Sequence, residues 1–145
     1  MFRNIIGVLL LLSAFLIDRV TKDYILERIS DVFVFLGGFV KIHYVENTGV
    51  AFGMFKGFNN FFILFNSVLL IFLFYLRRRL NKLSQVIAIH LIIGGAMGNI
   101  FDRIKYGYVI DFIEVKYFPW VFNAGDFFIT LGAIILFLSH FEEGR

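Results

Sequence analysis

Four apolar runs of membrane-spanning length, separated by segments that carry nearly all the charge, limit this chain more than any other feature of its sequence. The first is expected as a helix over 4–25, whose 22 residues rise about 33 Å at 1.5 Å per residue, enough to cross the hydrocarbon. No small-residue cleavage site follows Ile17, and the pattern continues through Asp18 and Arg19, so the run reads as a retained helix rather than a signal peptide. Further spans are expected over 58–76, 85–102 and 123–141. With 59% hydrophobic residues, 21 of them Phe, and a mean hydropathy of +0.82, the chain is too apolar for a water-soluble domain of 145 residues. It reads as one integral membrane domain over 1–145, an all-α four-helix bundle with a small β-rich appendage.

The basic residues give that bundle a direction. Arg77, Arg78 and Arg79, with Lys82 beyond, end the second span and mark the cytoplasmic side. With both termini inside, the cytoplasmic segments hold 6 Lys and Arg in 16 residues, against 8 in 59 outside. Nine of the eleven acids then fall on or near the outer side. The net charge of +3 is explained by this topology and calls for no nucleic-acid partner. The absence of cysteine excludes a disulfide framework and a thiol nucleophile. The three histidines, His43, His90 and His140, lie far apart and outside any zinc-ligand spacing, so neither metal nor cofactor is expected. His90 reads as a packed or hydrogen-bonded residue near the cytoplasmic end.

Outside the spans, Val32 to Val45 is β-rich around Gly37-Gly38 and reads as an extracytoplasmic hairpin. It leads into Glu46-Asn47-Thr48-Gly49, continuing to Gly53, where Asn and Gly favour a turn that brings backbone close to a ligand. Trp120, Tyr117 and Tyr106 suit an outer interfacial belt, and Met54, Phe55 and Phe58 suit equally half-buried interfacial packing or the lining of an entry for acyl chains. In the third span, Gly94 and Gly98 have the small-xxx-small spacing of closely packed helices. Asn99, Asp102 and Arg103 follow within about a turn, and Asp111 stands beyond Gly107 in the segment returning to the membrane.

Asp18, Asp102, Asp111 and Asp126 thus fall at one depth. A carboxylate at the centre of a spanning helix costs about 2.5–3.5 kcal/mol, less near the interface, so such residues point to function. Asp18 and Asp102 also admit a structural reading, as solvated charges or as pairs with Lys22 and Arg103. Asp126 precedes an apolar run and fits a site better. Two aspartates in a poorly hydrated cleft share one proton, because repulsion and desolvation raise one of the two pKa values. One then deprotonates water while the other protonates a carbonyl, as in an aspartic protease. Spacing shows only that the 15-residue excursion from Asp111 to Asp126 starts and ends at the same membrane surface.

Four blocks, in order, resemble the lipoprotein signal peptidases (signal peptidase II) of bacteria: Asp18-Arg19-Val20-Thr21-Lys22; Asn47-Thr48-Gly49-Val50-Ala51-Phe52; Gly94 to Phe112, with Gly-Asn-x-x-Asp-Arg and Val-x-Asp-Phe; and Phe122-Asn123-Ala124-Gly125-Asp126. Gly125 stands where that family usually has Ala. The resemblance implies a catalytic pair, Asp111 and Asp126. It implies supporting or substrate-binding roles for Asp18, Lys22, Asn47, Gly49, Asn99, Asp102, Arg103 and Asn123. It also implies an extracytoplasmic β-cradle, and cleavage of prolipoproteins before a diacylglyceryl-modified cysteine in the cytoplasmic membrane. Membrane lipids and the prolipoprotein are the expected partners, and the enzyme is expected to act as a monomer. Alternative readings are a Gly-x-Gly-Asp intramembrane protease, which Asn123 fits poorly; a small transporter or channel subunit with an acidic outer mouth; and a carboxylate-bound metal enzyme.

Overall fold

The computed structural model of the protein describes residues 2–28, 31–49 and 59–141. The elements in chain order are α1 (Phe2–Arg28), β1 (Phe33–Phe35), a 3-10 turn (Leu36–Gly38), β2 (Val40–Asn47), α2 (Asn59–Arg77), α3 (Leu83–Lys105), β3 (Val109–Val115), β4 (Val121–Phe122) and α4 (Ala124–Phe141). Helices α1, α2 and α3 are long and apolar enough to cross a membrane, and α4 is a shorter apolar helix. Met54, Phe55 and Phe58 lie outside the described residues, as do the turn beyond Gly49 and Glu142 and Glu143.

Helix α3 is the centre of the bundle, packing against α4, α1 and α2. Its glycines set those distances. A Cβ on Gly94 would meet the Leu11 carbonyl and Ala14 of α1, one on Gly98 the Asp18 carboxylate, and one on Gly95 the Gly125 carbonyl of α4. Gly94 and Gly98 therefore serve α1, while Gly95, a third of the way round the helix, serves α4. Leu73 of α2 packs on Ile89 and Ile93 of α3, and it is the one α2 residue that is buried among those described. Away from α3, residues such as Leu64, Val68, Ile71 and Phe72 of α2 face outward, as expected of a helix with one face to acyl chains. Gly7 of α1 gives way to the His90 ring, whose Nδ1 is 2.7 Å from the Val86 carbonyl oxygen.

The sheet is larger than the hairpin read from the sequence. It has four antiparallel strands in the order β1-β2-β3-β4. The segment after α3, expected as a returning loop, is strand β3, and Asp111 lies within it, paired in register with Val45. The alternation Val109-Ile110-Asp111-Phe112-Ile113 is masked by the apolar residues on both sides of Asp111. It forms a strand because one face packs on the helix bundle: Ile110 and Phe112 join Ile25 of α1 in a small core. The register shifts between Ile42 and Val45, a bulge that separates the Lys41–Glu114 pair from the Val45–Asp111 pair. Gly107, at φ +86°, lets the chain leave α3 and turn directly into β3.

Because Gly95 faces backbone, a side chain there has no room to yield. Gly95→Val is expected to cost about 1–3 kcal/mol and lower Tm in detergent, whereas Val8→Ala on the exposed face of α1 leaves Tm nearly unchanged. Equal melting of the two variants would contradict the α3–α4 approach.

Candidate active site

Four charged residues, two acidic and two basic, are buried where α1 meets the C-terminal end of α3. Lys22 Nζ lies 3.0 Å from Asp18 Oδ2, 2.8 Å from Asp102 Oδ2 and 2.8 Å from Asn99 Oδ1, which uses all three of its donors. Arg19 Nη2 bridges the same two acids, 2.7 Å from Asp102 and 3.2 Å from Asp18, and the guanidinium stacks 4.8 Å over the Phe101 ring. Asp18, Lys22 and Asp102 are fully shielded from solvent. The pairing of Asp102 with Arg103 considered from the sequence is absent. Consecutive helical residues point about 100° apart, so Asp102 faces α1 while Arg103 faces α2.

The quartet reaches its surroundings through backbone. Asp18 Oδ1 accepts the Gly125 N–H at 2.8 Å, tying α1 to the start of α4. Asp102 Oδ2 accepts the Ile110 N–H at 3.1 Å, fixing β3 next to the residue that precedes Asp111. The two carboxylates that matter for position are thus each joined to a neighbour of another aspartate.

Asn123 organises the next layer. Its Oδ1 accepts the Asp126 N–H at 2.9 Å, and Asp126 Oδ2 accepts the Asn123 N–H at 3.3 Å, a reciprocal capping box at the first turn of α4. The Asn123 Nδ2 donates to Asp111 Oδ1 at 2.6 Å and to Asn99 Oδ1 at 3.1 Å. Asn99 Nδ2 donates to Asp126 Oδ1 at 2.8 Å, and Asn47 Nδ2 donates to Asp111 Oδ2 at 2.8 Å. Gly49 donates its N–H to Asn47 Oδ1 at 3.1 Å, which orients that amide towards Asp111. Asp111 and Asp126 therefore share Asn123, and three asparagine amides bracket the pair.

Both carboxylates line a cavity of about 1100 Å³. Its wall is mainly apolar and rich in aromatic rings, with Phe61, Phe62 and Phe65 from α2 together with Trp120, Phe122 and Phe127. Arg103 also lines it. Its guanidinium lies 4.7 Å over the Phe62 ring, and its Nε and Nη1 are buried without a hydrogen-bond partner among the described residues. Burial, and after it the charge of Asp126, pushes the Asp111 carboxyl up to about 7, against the lowering hydrogen bonds from Asn47 and Asn123. No group of three or more His, Cys, Asp or Glu suited to a metal ion occurs among the described residues.

The sequence profile described as Signal peptidase (SPase) II matches residues 10–142. The chain belongs to the signal peptidase II family. The lipoprotein signal peptidase of Caldicellulosiruptor bescii is 40% identical over 141 residues, covering 94% of this chain and 91% of that one. That of Caldanaerobacter subterraneus subsp. tengcongensis is 46% identical over 108 residues, 73% of this chain and 74% of the relative. A bacterial membrane enzyme solved by the in meso method at 2.3 Å resolution superposes with a TM-score of 0.87 at 29% identity, covering 96% of this chain and 89% of that chain. A second, at 1.9 Å, gives 0.81 at 31% identity, covering 92% and 90%. As a signal peptidase II, the chain is an aspartyl endopeptidase of the bacterial membrane that removes signal peptides from prolipoproteins. The transporter, metal-enzyme and Gly-x-Gly-Asp readings give way to that membership.

All ten residues singled out from the sequence fall in this one region. Arg19 was missed, although a second charge beside Asp18 in an apolar helix is itself a signal. The aromatic wall was missed too, since a Phe-rich span looks the same whether it faces lipid or a cavity.

Lys22→Met leaves two buried carboxylates to a single guanidinium, and the loss of one partner from such a network costs about 3–5 kcal/mol. The variant is expected to accumulate poorly and to melt well below the wild type. A wild-type melting curve would show that the quartet contributes nothing to folding.

Proposed function

We propose that Asp111 and Asp126 are the catalytic pair of this signal peptidase, with a single proton shared between them. The observation that carries the reading is the pair's shared anchor: Asn123 holds one carboxylate through its amide and the other through a capping box, at the wall of an aromatic cavity. In the resting pair the proton rests on Asp111, in keeping with its upward shift, and Asp126 serves as the base. A water between them loses a proton to Asp126 as its oxygen bonds to the scissile carbonyl carbon, and Asp111 gives its proton to the carbonyl oxygen. On collapse, Asp111 regains that proton and Asp126 passes its own to the departing amine, which restores both groups. Arg103 and Asn47 contact the peptide, and the Asp18–Arg19–Lys22–Asp102 quartet with Asn99 positions the pair.

The same reading places four spans across the cytoplasmic membrane, with both termini inside and the sheet and carboxylates at the outer face. The signal helix of the substrate enters laterally. Its diacylglyceryl chains stay in the outer leaflet, and cleavage falls on the N-terminal side of the modified cysteine. In this reading the enzyme works as a monomer and uses no cofactor.

Purified enzyme in detergent with a chelator present is expected to cleave a diacylglyceryl-modified prolipoprotein. Asp111→Asn and Asp126→Asn, each folded, should fall by at least about 10²–10⁴-fold, the usual weight of general acid–base catalysis. Near-normal turnover by either variant would remove that residue from the pair.

The proton on Asp111 also has a stability signature. Its folded pKa of about 7 lies above the ordinary 3.8, so its stabilisation is full below that lower value and is lost as pH rises towards and through about 7. The Tm of Asp111→Asn minus that of wild type is therefore expected to climb between about pH 4 and about pH 8. A flat difference would place the proton elsewhere.

A further inference from the structure

At the end of the bundle far from the carboxylates, the α1 N-terminus, the end of α2 and the turn into α3 converge. Arg3 donates to the Asn81 carbonyl, and Arg77 donates through Nη2 to Asn4 Oδ1 at 2.5 Å and through Nη1 to the Leu80 carbonyl at 3.3 Å. Two guanidiniums from different helices are thus held across one junction by neutral acceptors. The Arg77 Nε is buried and without a partner among the described residues. Arg78 and Arg79 extend the cluster into solvent, and no ion pair joins any of these four arginines to an acid among the described residues. Asn4 is also the first residue lining an apolar groove of about 330 Å³ that runs up the outer face of α1 past Ile5, Val8 and Leu9.

A charged junction opening onto an apolar groove matches a phospholipid in both chemistry and direction. Guanidinium groups bind phosphate through paired N–H donors, and basic pockets between membrane helices bind anionic headgroups. Topology alone asks for basic residues on this side. It does not ask for two guanidiniums fixed at one junction, one of them bonded to the residue that begins the groove. We propose that this junction is a binding site for an anionic phospholipid, with its phosphate between Arg3 and Arg77 and an acyl chain along Ile5, Val8 and Leu9. The ligand is thus a lipid of the leaflet opposite the one that presents the scissile bond, and the site is separate from the peptidase centre.

Delipidated enzyme in a neutral detergent, titrated with phosphatidylglycerol or phosphatidylcholine and read by native mass spectrometry, tests the assignment. One phosphatidylglycerol is expected to be retained, at least tenfold more tightly than phosphatidylcholine. The double variant Arg3→Gln/Arg77→Gln is expected to lose that preference, while Lys116→Gln on the sheet keeps it. Val8→Trp, which fills the groove from an exposed position and leaves the arginines intact, guards against misfolding of the double variant and should also weaken retention at least several-fold. Equal retention of both lipids, or retention unchanged in both Arg3→Gln/Arg77→Gln and Val8→Trp, would overturn the proposal. Water-soluble glycerophosphoglycerol should not compete at equal concentration. Full competition would make the junction a free-phosphate site and overturn the lipid assignment.

Discussion

The buried quartet of Asp18, Arg19, Lys22 and Asp102 is the interaction on which the rest of the site depends. Charges removed from water are tolerated when they are paired and their remaining donors and acceptors are satisfied. Lys22 meets that condition with three acceptors and no solvent, and it does so only if α1 and α3 come within side-chain reach of each other. The glycines permit that approach, since Gly98 leaves the space the Asp18 carboxylate occupies. Close helix packing and charge pairing are therefore one condition met twice. Outward from the quartet, Asp18 holds the backbone of Gly125 and Asp102 holds that of Ile110, each adjacent to a cavity-lining aspartate.

This arrangement separates the paired charges from the two carboxylates of the cavity. The quartet is balanced in charge, while Asp111 and Asp126 sit one layer away, held by amides instead of by cations. An amide donor stabilises a carboxylate less than an ammonium does, so burial prevails at Asp111 and its carboxyl titrates near neutrality. Asn99 stands between Lys22 and Asp126, accepting from the ammonium with one end of its amide and donating to the carboxylate with the other.

The cavity follows the same division of labour. Phe61, Phe62 and Trp120 give it an apolar wall suited to a membrane-borne peptide, and Arg103 provides the one guanidinium that faces it with donors unspent among the described residues. A guanidinium over an aromatic ring remains charged while partly dehydrated, which makes it a strong partner for a peptide carbonyl.

The sequence by itself determined the long apolar helices and the polar residues that gather at one end of them. Periodicity and composition act over short stretches, and a carboxylate or asparagine at the end of an apolar run is visible without coordinates. The Asn123-x-x-Asp126 spacing was legible in the same way, because a capping box is a local device. The partners of Asp102, the shared anchor of the aspartates and the strand under Asp111 were decided by the tertiary structure. Each needs residues far apart in the chain, such as Asn47 with Asp111 or Asp18 with Gly125, to meet across helices. β3 was hidden because both of its neighbours in the sheet and its packing on α1 come from elsewhere in the chain. A segment apolar on both sides becomes a strand only when something covers each face, and only the fold supplies the cover.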